Sequence, residues 1–217
     1  MPPASLLPLP KDSELAEIAA AAYHGPWAWR DDGDVAAIDA RATTGHHVVA
    51  FRGTTKNGAD ILRDMRCFPW WHHRVGICPA GFLKGTQTVI DRLIFDTADY
   101  AKAGALIFVG HSLGGSEALI AAAWFAALGH PPAAVVAFDP ACAGLWKLRR
   151  LIKQVPYSRI YWNVFDPVPT VPLFYRHPAE VIRIGKSIGS LDPFVYHRIA
   201  NIVDSVKAYE AKSSPAP

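Results

Sequence analysis

Ser112 sits at the centre of Gly110-His111-Ser112-Leu113-Gly114, a G-x-S-x-G pattern. A serine hydroxyl is a weak nucleophile until a base removes its proton. The pattern carries chemistry where a sharp strand-to-helix turn lifts the hydroxyl above a sheet and aims the first helical amides at the group it attacks. Glycines two residues before and after the serine suit that turn, because a Cβ at either place would collide with the adjoining strand or helix. The context is right. Ala105–Val109 is an apolar run of buried-strand character, and the Ala-rich run from Ser116 to about Leu128 reads as helix. A small-residue turn packing a helix on a sheet would look the same so far, so the reading depends on partners for Ser112.

An activated serine needs a base, usually His, and the base needs a carboxylate to fix its tautomer. On a strand-turn-helix nucleophile the chain order is Ser, then Asp or Glu, then His. Two aspartates end apolar runs beyond the elbow, Asp139 and Asp166, each followed by proline. Asp139 ends the strand next to the nucleophile's helix and should crowd the serine itself. Asp166, one strand further on, leaves room for an imidazole and is taken as the acid. Asp-Pro is also a common turn, which is the plainer role for either. His177 and His197 are the histidines after Asp166. His177 precedes the last strand, at the end of a parallel sheet remote from the elbow. His197 follows that strand at the entrance to the final helix, where a loop can hang over Ser112, and is taken as the base. His111 points away from its neighbour and reads as structural.

Acyl transfer also needs two donors about 3 Å from the developing oxyanion. The Leu113 amide, directly after the nucleophile, is one. The amide or hydroxyl of Thr54, at the end of HVVAFRG, is the natural second, with a cap or turn as its plain alternative.

The elements that must hold these groups follow from periodicity. A first helix, capped by Asp12 or Ser13, buries Leu15, Ile18, Ala19 and Ala22 and ends at His24-Gly25-Pro26. Val35–Arg41 and His46–Gly53, separated by Thr43-Thr44-Gly45, read as an antiparallel hairpin. Gly81–Tyr100 is helical in period. Ala133–Phe138, Arg159–Phe165 and Glu180–Ile184 read as strands, Ala143–Gln154 and Ile199–Ala211 as helices. Strands alternating with helices imply an α/β architecture, a mostly parallel central sheet with helices on both faces. Between them, Asp60–Cys78 is the least regular stretch. Its Trp70-Trp71 pair could line an acyl pocket or meet a lipid interface, but capping the core is the preferred reading.

A chain of 217 residues that is 51% hydrophobic can bury a full core, and residues 1–217 are expected to form one domain with loose ends at 1–11 and 213–217. A net charge of +3 and no basic run beyond Lys147–Lys153 argue against a nucleic-acid partner. No stretch has the pattern of a secretory signal or a membrane span, so a cytoplasmic location is the default. Three cysteines without ligand spacing make neither a metal site nor a disulfide framework, although Cys67 and Cys78 could close a short loop. The adjacent His72 and His73 have no partner at ligand spacing either.

Phe51-Arg52-Gly53-Thr54, GHSLGG at 110–115, NVFDPVP at 163–169 and a late histidine, in that order, make the chain similar to the class 3 (fungal-lipase-like) lipases of the α/β-hydrolase superfamily, from about Leu15 to Tyr209. The resemblance implies an α/β-hydrolase fold, with Ser112 as nucleophile, Asp166 as acid, His197 as base, and Thr54 and Leu113 as the oxyanion hole. It also matches Asp64 to an acidic position that braces the oxyanion loop, and His177 to a structural histidine. Three features depart from the family pattern. Pro79-Ala80-Gly81-Phe82 replaces the usual His-x-Gly-Phe. The stretch from Thr54 to Asp64 is short and polar, with little of an amphipathic lid. Only 31 residues separate Asp166 from His197, leaving little wall for a deep acyl tunnel. The expected activity is serine ester hydrolysis without metal or organic cofactor, on small acyl or glycerolipid esters, with transient contact with a lipid surface left open. Phospholipase A and thioesterase activity fit the same residues, as does a non-catalytic binding or signalling module on this fold. Oligomeric state and natural substrate are not legible.

Overall fold

The structure, a computed structural model, describes residues 7–30, 35–54 and 68–213. Its centre is a seven-stranded sheet made of β1 (Trp29–Arg30), β2 (Ala36–Arg41), β3 (His47–Phe51), β6 (Leu106–His111), β7 (Ala134–Phe138), β8 (Tyr157–Asn163) and β9 (Glu180–Ile184), neighbours in that order. The first three strands run antiparallel, and β3, β6, β7, β8 and β9 are parallel. Parallel strands need helical crossovers, and these cover both faces. Consecutive side chains alternate between those faces. Val49, Phe51, Leu106, Phe108, Val135 and Ala137 pack beneath α2 (Ala80–Lys102), α3 (Leu113–Ala127) and α4 (Trp146–Ile152). Val48, Ala50, Ile107, Val109, Val136 and Phe138 face α1 (Asp12–Ala21) and α5 (Ile199–Ser213). The helix after the elbow, α3, is buried from Gly114 to Ala126 on every side, as its lack of a polar stripe requires.

Three local expectations change. Neither Asp12 nor Ser13 caps α1: Lys11 precedes the helix without a side-chain cap. Asp12 is instead turned under the sheet, where its Oδ2 accepts from the Tyr157 and Tyr161 hydroxyls at 2.6 Å and from Arg159 at 3.2 Å. Residues from the irregular stretch form a separate antiparallel hairpin, β4 (Pro69–His72) with β5 (Gly76–Pro79). On it Trp70 and Trp71 are 48% and 66% exposed, so they do not cap the core. Asp64, Cys67 and most of the Thr54–Asp64 stretch lie outside the described residues. Cys78 and Cys142 are buried free thiols, and burial pushes them up to about 12 and about 11. Among the described residues, no helix is long and apolar enough to cross a membrane.

Candidate active site

Five parallel strands deliver their C-terminal ends to one edge of the sheet, and the polar residues of the site collect there. At the end of β6, Ser112 adopts φ 57° and ψ −127°, a conformation costly for any residue with a Cβ. Its surroundings hold it. A Cβ on Gly110 would lie 2.2 Å from the Gly114 carbonyl oxygen, and one on Gly114 would lie 2.3 Å from that of Phe51. Only glycine lets the strand, the turn and β3 approach this closely. The Ser112 amide donates to the Phe138 carbonyl at the end of β7, which ties the turn to the neighbouring strand.

His197 reaches Ser112 from the segment between β9 and α5. It follows a short 3₁₀ turn, Pro193–Val195, whose preceding residue Asp192 accepts the Phe194 amide, and α5 starts two residues later. The structure places His197 Nε2 2.7 Å from Ser112 Oγ and its Nδ1 2.5 Å from Asp166 Oδ2. One tautomer satisfies both bonds: Nδ1–H donates to the carboxylate and Nε2 accepts the serine proton. Asp166 Oδ1 accepts the Val168 amide at 2.9 Å, which fixes the carboxyl plane. All three residues are buried, Ser112 at 0%, Asp166 at 2% and His197 at 5% exposure. Such a line of hydroxyl, imidazole and carboxylate can take a proton from the serine as it attacks and hold the resulting imidazolium.

The two expected oxyanion donors lie at the same edge. Leu113 is the first residue of α3, where backbone N–H groups have no partner within the helix and the dipole favours negative charge. Thr54 leaves the sheet one residue after Gly53, at which a Cβ would be 3.1 Å from that of Ser112.

Histidines outside this line have other duties. His177 is not at the far end of the sheet. Residues before β9 double back, with a bridge between Gly144 and Arg176, so that His177 tilts against Trp162 and bonds the Pro169 carbonyl at 2.8 Å. It ties down the loop that begins at Asp166. His111 is more involved than a structural reading suggests. Its Nδ1 meets the Tyr23 hydroxyl at 2.6 Å, and its ring lies 4.7 Å from that of His197. Burial first, then the adjacent His197, hold His111 well below the usual histidine range, so it stays neutral beside His197.

Asp139, set aside in the sequence reading, is fully buried at the same edge, with φ 42°. One ligand-type atom each from His111, Asp139 and His197 falls within 4.8 Å of the others. That grouping does not suit a metal ion, because both nitrogens of His197 and Nδ1 of His111 are already hydrogen-bonded. Two relations here escaped the sequence. The Tyr23–His111 contact leaves no trace in the pattern of either segment. The Asp166 carboxyl also acts on Asp139, and this relation had a signal, the repeated Asp-Pro after successive strands.

A family model described as Lipase (class 3) matches residues 48–176. No curated protein matches the chain in sequence. Solved structures do match. A mutant form of MDLA from Penicillium cyclopium is 22% identical, with a TM-score of 0.66 over 82% of this chain and 78% of that one. The Rhizomucor miehei lipase propeptide complex is 17% identical, with a TM-score of 0.64 over 81% and 67%. A triacylglycerol lipase from Penicillium expansum is 18% identical, with a TM-score of 0.61 over 82% of both chains. At such identities the likeness is one of fold, that of the α/β hydrolases.

Proposed function

The chain belongs to the class 3 lipase family and is an ester-hydrolysing enzyme, and on that premise we propose that it works by two-step acyl transfer through Ser112, His197 and Asp166. Ser112 attacks the ester carbonyl while His197 Nε2 takes its proton. Asp166 keeps Nδ1–H in place and stabilises the imidazolium. The Leu113 amide and the amide or hydroxyl of Thr54 donate to the oxyanion. His197 then protonates the departing alcohol. In the second half a water, deprotonated by the same nitrogen, releases the acid and restores Ser112. The observation that carries this reading is the unbroken pair of short bonds from Oγ to imidazole to carboxylate.

For the substrate we propose small acyl or glycerolipid esters, processed within one domain. The solved relative from Penicillium expansum is titled a triacylglycerol lipase, so lipid esters are the class to test first. Exposed apolar side chains support contact with a lipid surface: Phe68, Trp70 and Trp71 just before and within β4, Leu173 and Phe174 after Asp166, and Leu191 before His197. The test is labelling with a fluorophosphonate probe, followed by an ester panel of rising chain length that includes a phospholipid and a triglyceride. The expected result is one label at Ser112, lost in Ser112→Ala together with on the order of 10⁴ or more in kcat. Undiminished labelling or turnover in Ser112→Ala would overturn the assignment.

A further inference from the structure

Asp139 is a buried carboxyl to which the reaction above gives no task. Its backbone is in the left-handed region, which Asp tolerates better than most residues but which persists only where the surroundings impose it. They do so here. The Asp139 amide donates to the Tyr161 carbonyl at 2.8 Å, and its Oδ1 accepts the Asn163 amide at 2.7 Å. Both anchors are on β8, three and five residues ahead of Asp166. The other oxygen, Oδ2, is buried and has no hydrogen-bond partner, and Asp166 is the carboxyl whose charge acts on it.

Charge decides the state of this pair. The groups facing Asp139 are Asp166 from the loop after β8, His197 from the segment before α5 and His111 from the end of β6, with Tyr23 behind it. None offers a free positive charge. His111 is held neutral and its Nδ1 is taken by Tyr23; His197 is committed to Asp166. Two carboxylates acting on each other inside a sealed site cannot both ionise without a further cation. Asp166 has an imidazole and the Val168 amide to stabilise its anion, and Asp139 has one amide. The proton therefore rests on Asp139. Burial and the neighbouring Asp166 both raise its ionisation well above the usual carboxylate range.

We propose that Asp139 is a positioning residue for the reaction: as a neutral carboxylic acid it donates a hydrogen bond to Asp166, aiming that carboxylate at His197 and limiting its basicity. This rests on the reading of Ser112, His197 and Asp166 as the catalytic line and adds a fourth member behind it. The hydrogen bond reaches the reacting atoms only through Asp166 and His197. Without it Asp166 becomes a stronger base, holds the imidazolium more tightly, and moves the acid limb of activity to higher pH.

The experiment compares kcat/KM–pH profiles of wild type, Asp139→Asn and Asp139→Ala on a soluble ester, with Ser112→Ala as control. Asparagine keeps both functions of the neutral acid, since its NH₂ can donate to Asp166 and its oxygen can accept from Asn163. Asp139→Asn is expected to keep the wild-type plateau and acid limb. Asp139→Ala is expected to lose about ten- to a hundredfold at the plateau, with its acid limb about one pH unit higher. An acid limb moved to lower pH in Asp139→Asn would mean that the substitution removed a charge from beside His197, and would overturn the proposal. So would an Asp139→Ala profile identical to wild type. If Asp139→Ala does not fold, the Asp139→Asn profile still decides. Full activity in Ser112→Ala would instead defeat the underlying catalytic reading, so the two failures are distinct.

Discussion

Asp166, beyond the C-terminal end of β8, and Asp12, beneath its N-terminal end, are nearly equal in burial, 2% and 4% exposed, and each accepts a bond of 2.5–2.6 Å. Their partners differ in kind. Asp12 concentrates three donors on one oxygen, two phenols and a guanidinium, all from β8 itself. None of those donors leads to a nucleophile. Burial, and then Asp12, push both phenols further up from the ordinary tyrosine range, so their protons stay in place across neutral pH. Asp166, beside the Val168 amide, meets an imidazole whose far nitrogen touches a hydroxyl. A buried carboxylate therefore marks function only when its donor can pass a proton on. At Asp12 the charge is compensated permanently and the result is cohesion. At Asp166, under the proposed mechanism, it awaits a positive charge that forms only during reaction.

The sharpest way to break this contrast is to remove each charge in turn. Asp166→Asn is expected to lower kcat on the order of 10⁴, because the imidazole loses both its tautomer and its counter-charge, while the melting temperature stays close to wild type. Asp12→Ala should do the reverse. Turnover per folded molecule stays unchanged, and urea unfolding shows a loss of about 3 kcal/mol, the low end for breaking a buried charged cluster. The low end applies because Arg159 is 35% exposed and water takes over part of its solvation. If Asp12→Ala lowered kcat as strongly as it lowered stability, the two ends would not be separable.

How much of this contrast the sequence displays depends on the range of each interaction. The elbow was legible because its constraint is local: Gly110 and Gly114 are demanded by contacts within the turn and with the strand beside it. Asp166 and His197 could be chosen because alternation of strands and helices fixes which ends of a parallel sheet share an edge. Asp12 read as a helix cap, since a carboxylate at a helix start usually serves one. Its actual partners lie 145 and more residues away on β8, a separation that no local pattern encodes. Trp70 and Trp71 misled for a similar reason. Aromatic bulk predicts burial on average, but this hairpin packs Val75 and Cys78 into the core and leaves the tryptophans of β4 outside it. Tyr23 reaches His111 only because the chain leaving α1 passes the end of β6, and neither segment signals that in its own residues.

A third buried carboxyl sharpens the comparison through pH. Asp139 ionises far less readily in the folded protein than in the unfolded chain, where its ordinary value applies. The sign follows: above about pH 4 the unfolded state gives up a proton that the folded state keeps, so this residue lowers wild-type stability as pH rises. Asp139→Asn removes the effect. The variant should gain on wild type between pH 4 and 8 by up to about 1.4 kcal/mol per pH unit, read from urea midpoints. His111 has the opposite sign, since its depressed value costs stability as pH falls below about 6.5. It is present in both proteins and cancels in the difference. A gap independent of pH would mean that Asp139 is ionised in the folded protein, and would overturn its reading as a neutral acid.

Tyr161→Phe should give the smallest effect and tests whether β8 connects its two ends. The substitution removes one donor to Asp12 but leaves Tyr157 and Arg159 in place, and it strands no donor of its own. The ring stays stacked on Phe138, 5.7 Å between centroids, so packing is preserved. The expected loss is about 1 kcal/mol, one net hydrogen bond, with kcat unchanged. The same residue's carbonyl, however, accepts the Asp139 amide at the catalytic edge. If losing the phenol let that stretch of strand shift, Asp139 would move with it and kcat would fall alongside stability. An unaltered kcat would show that the backbone of β8 isolates Asp12 from Asp166, although a single residue touches both surroundings.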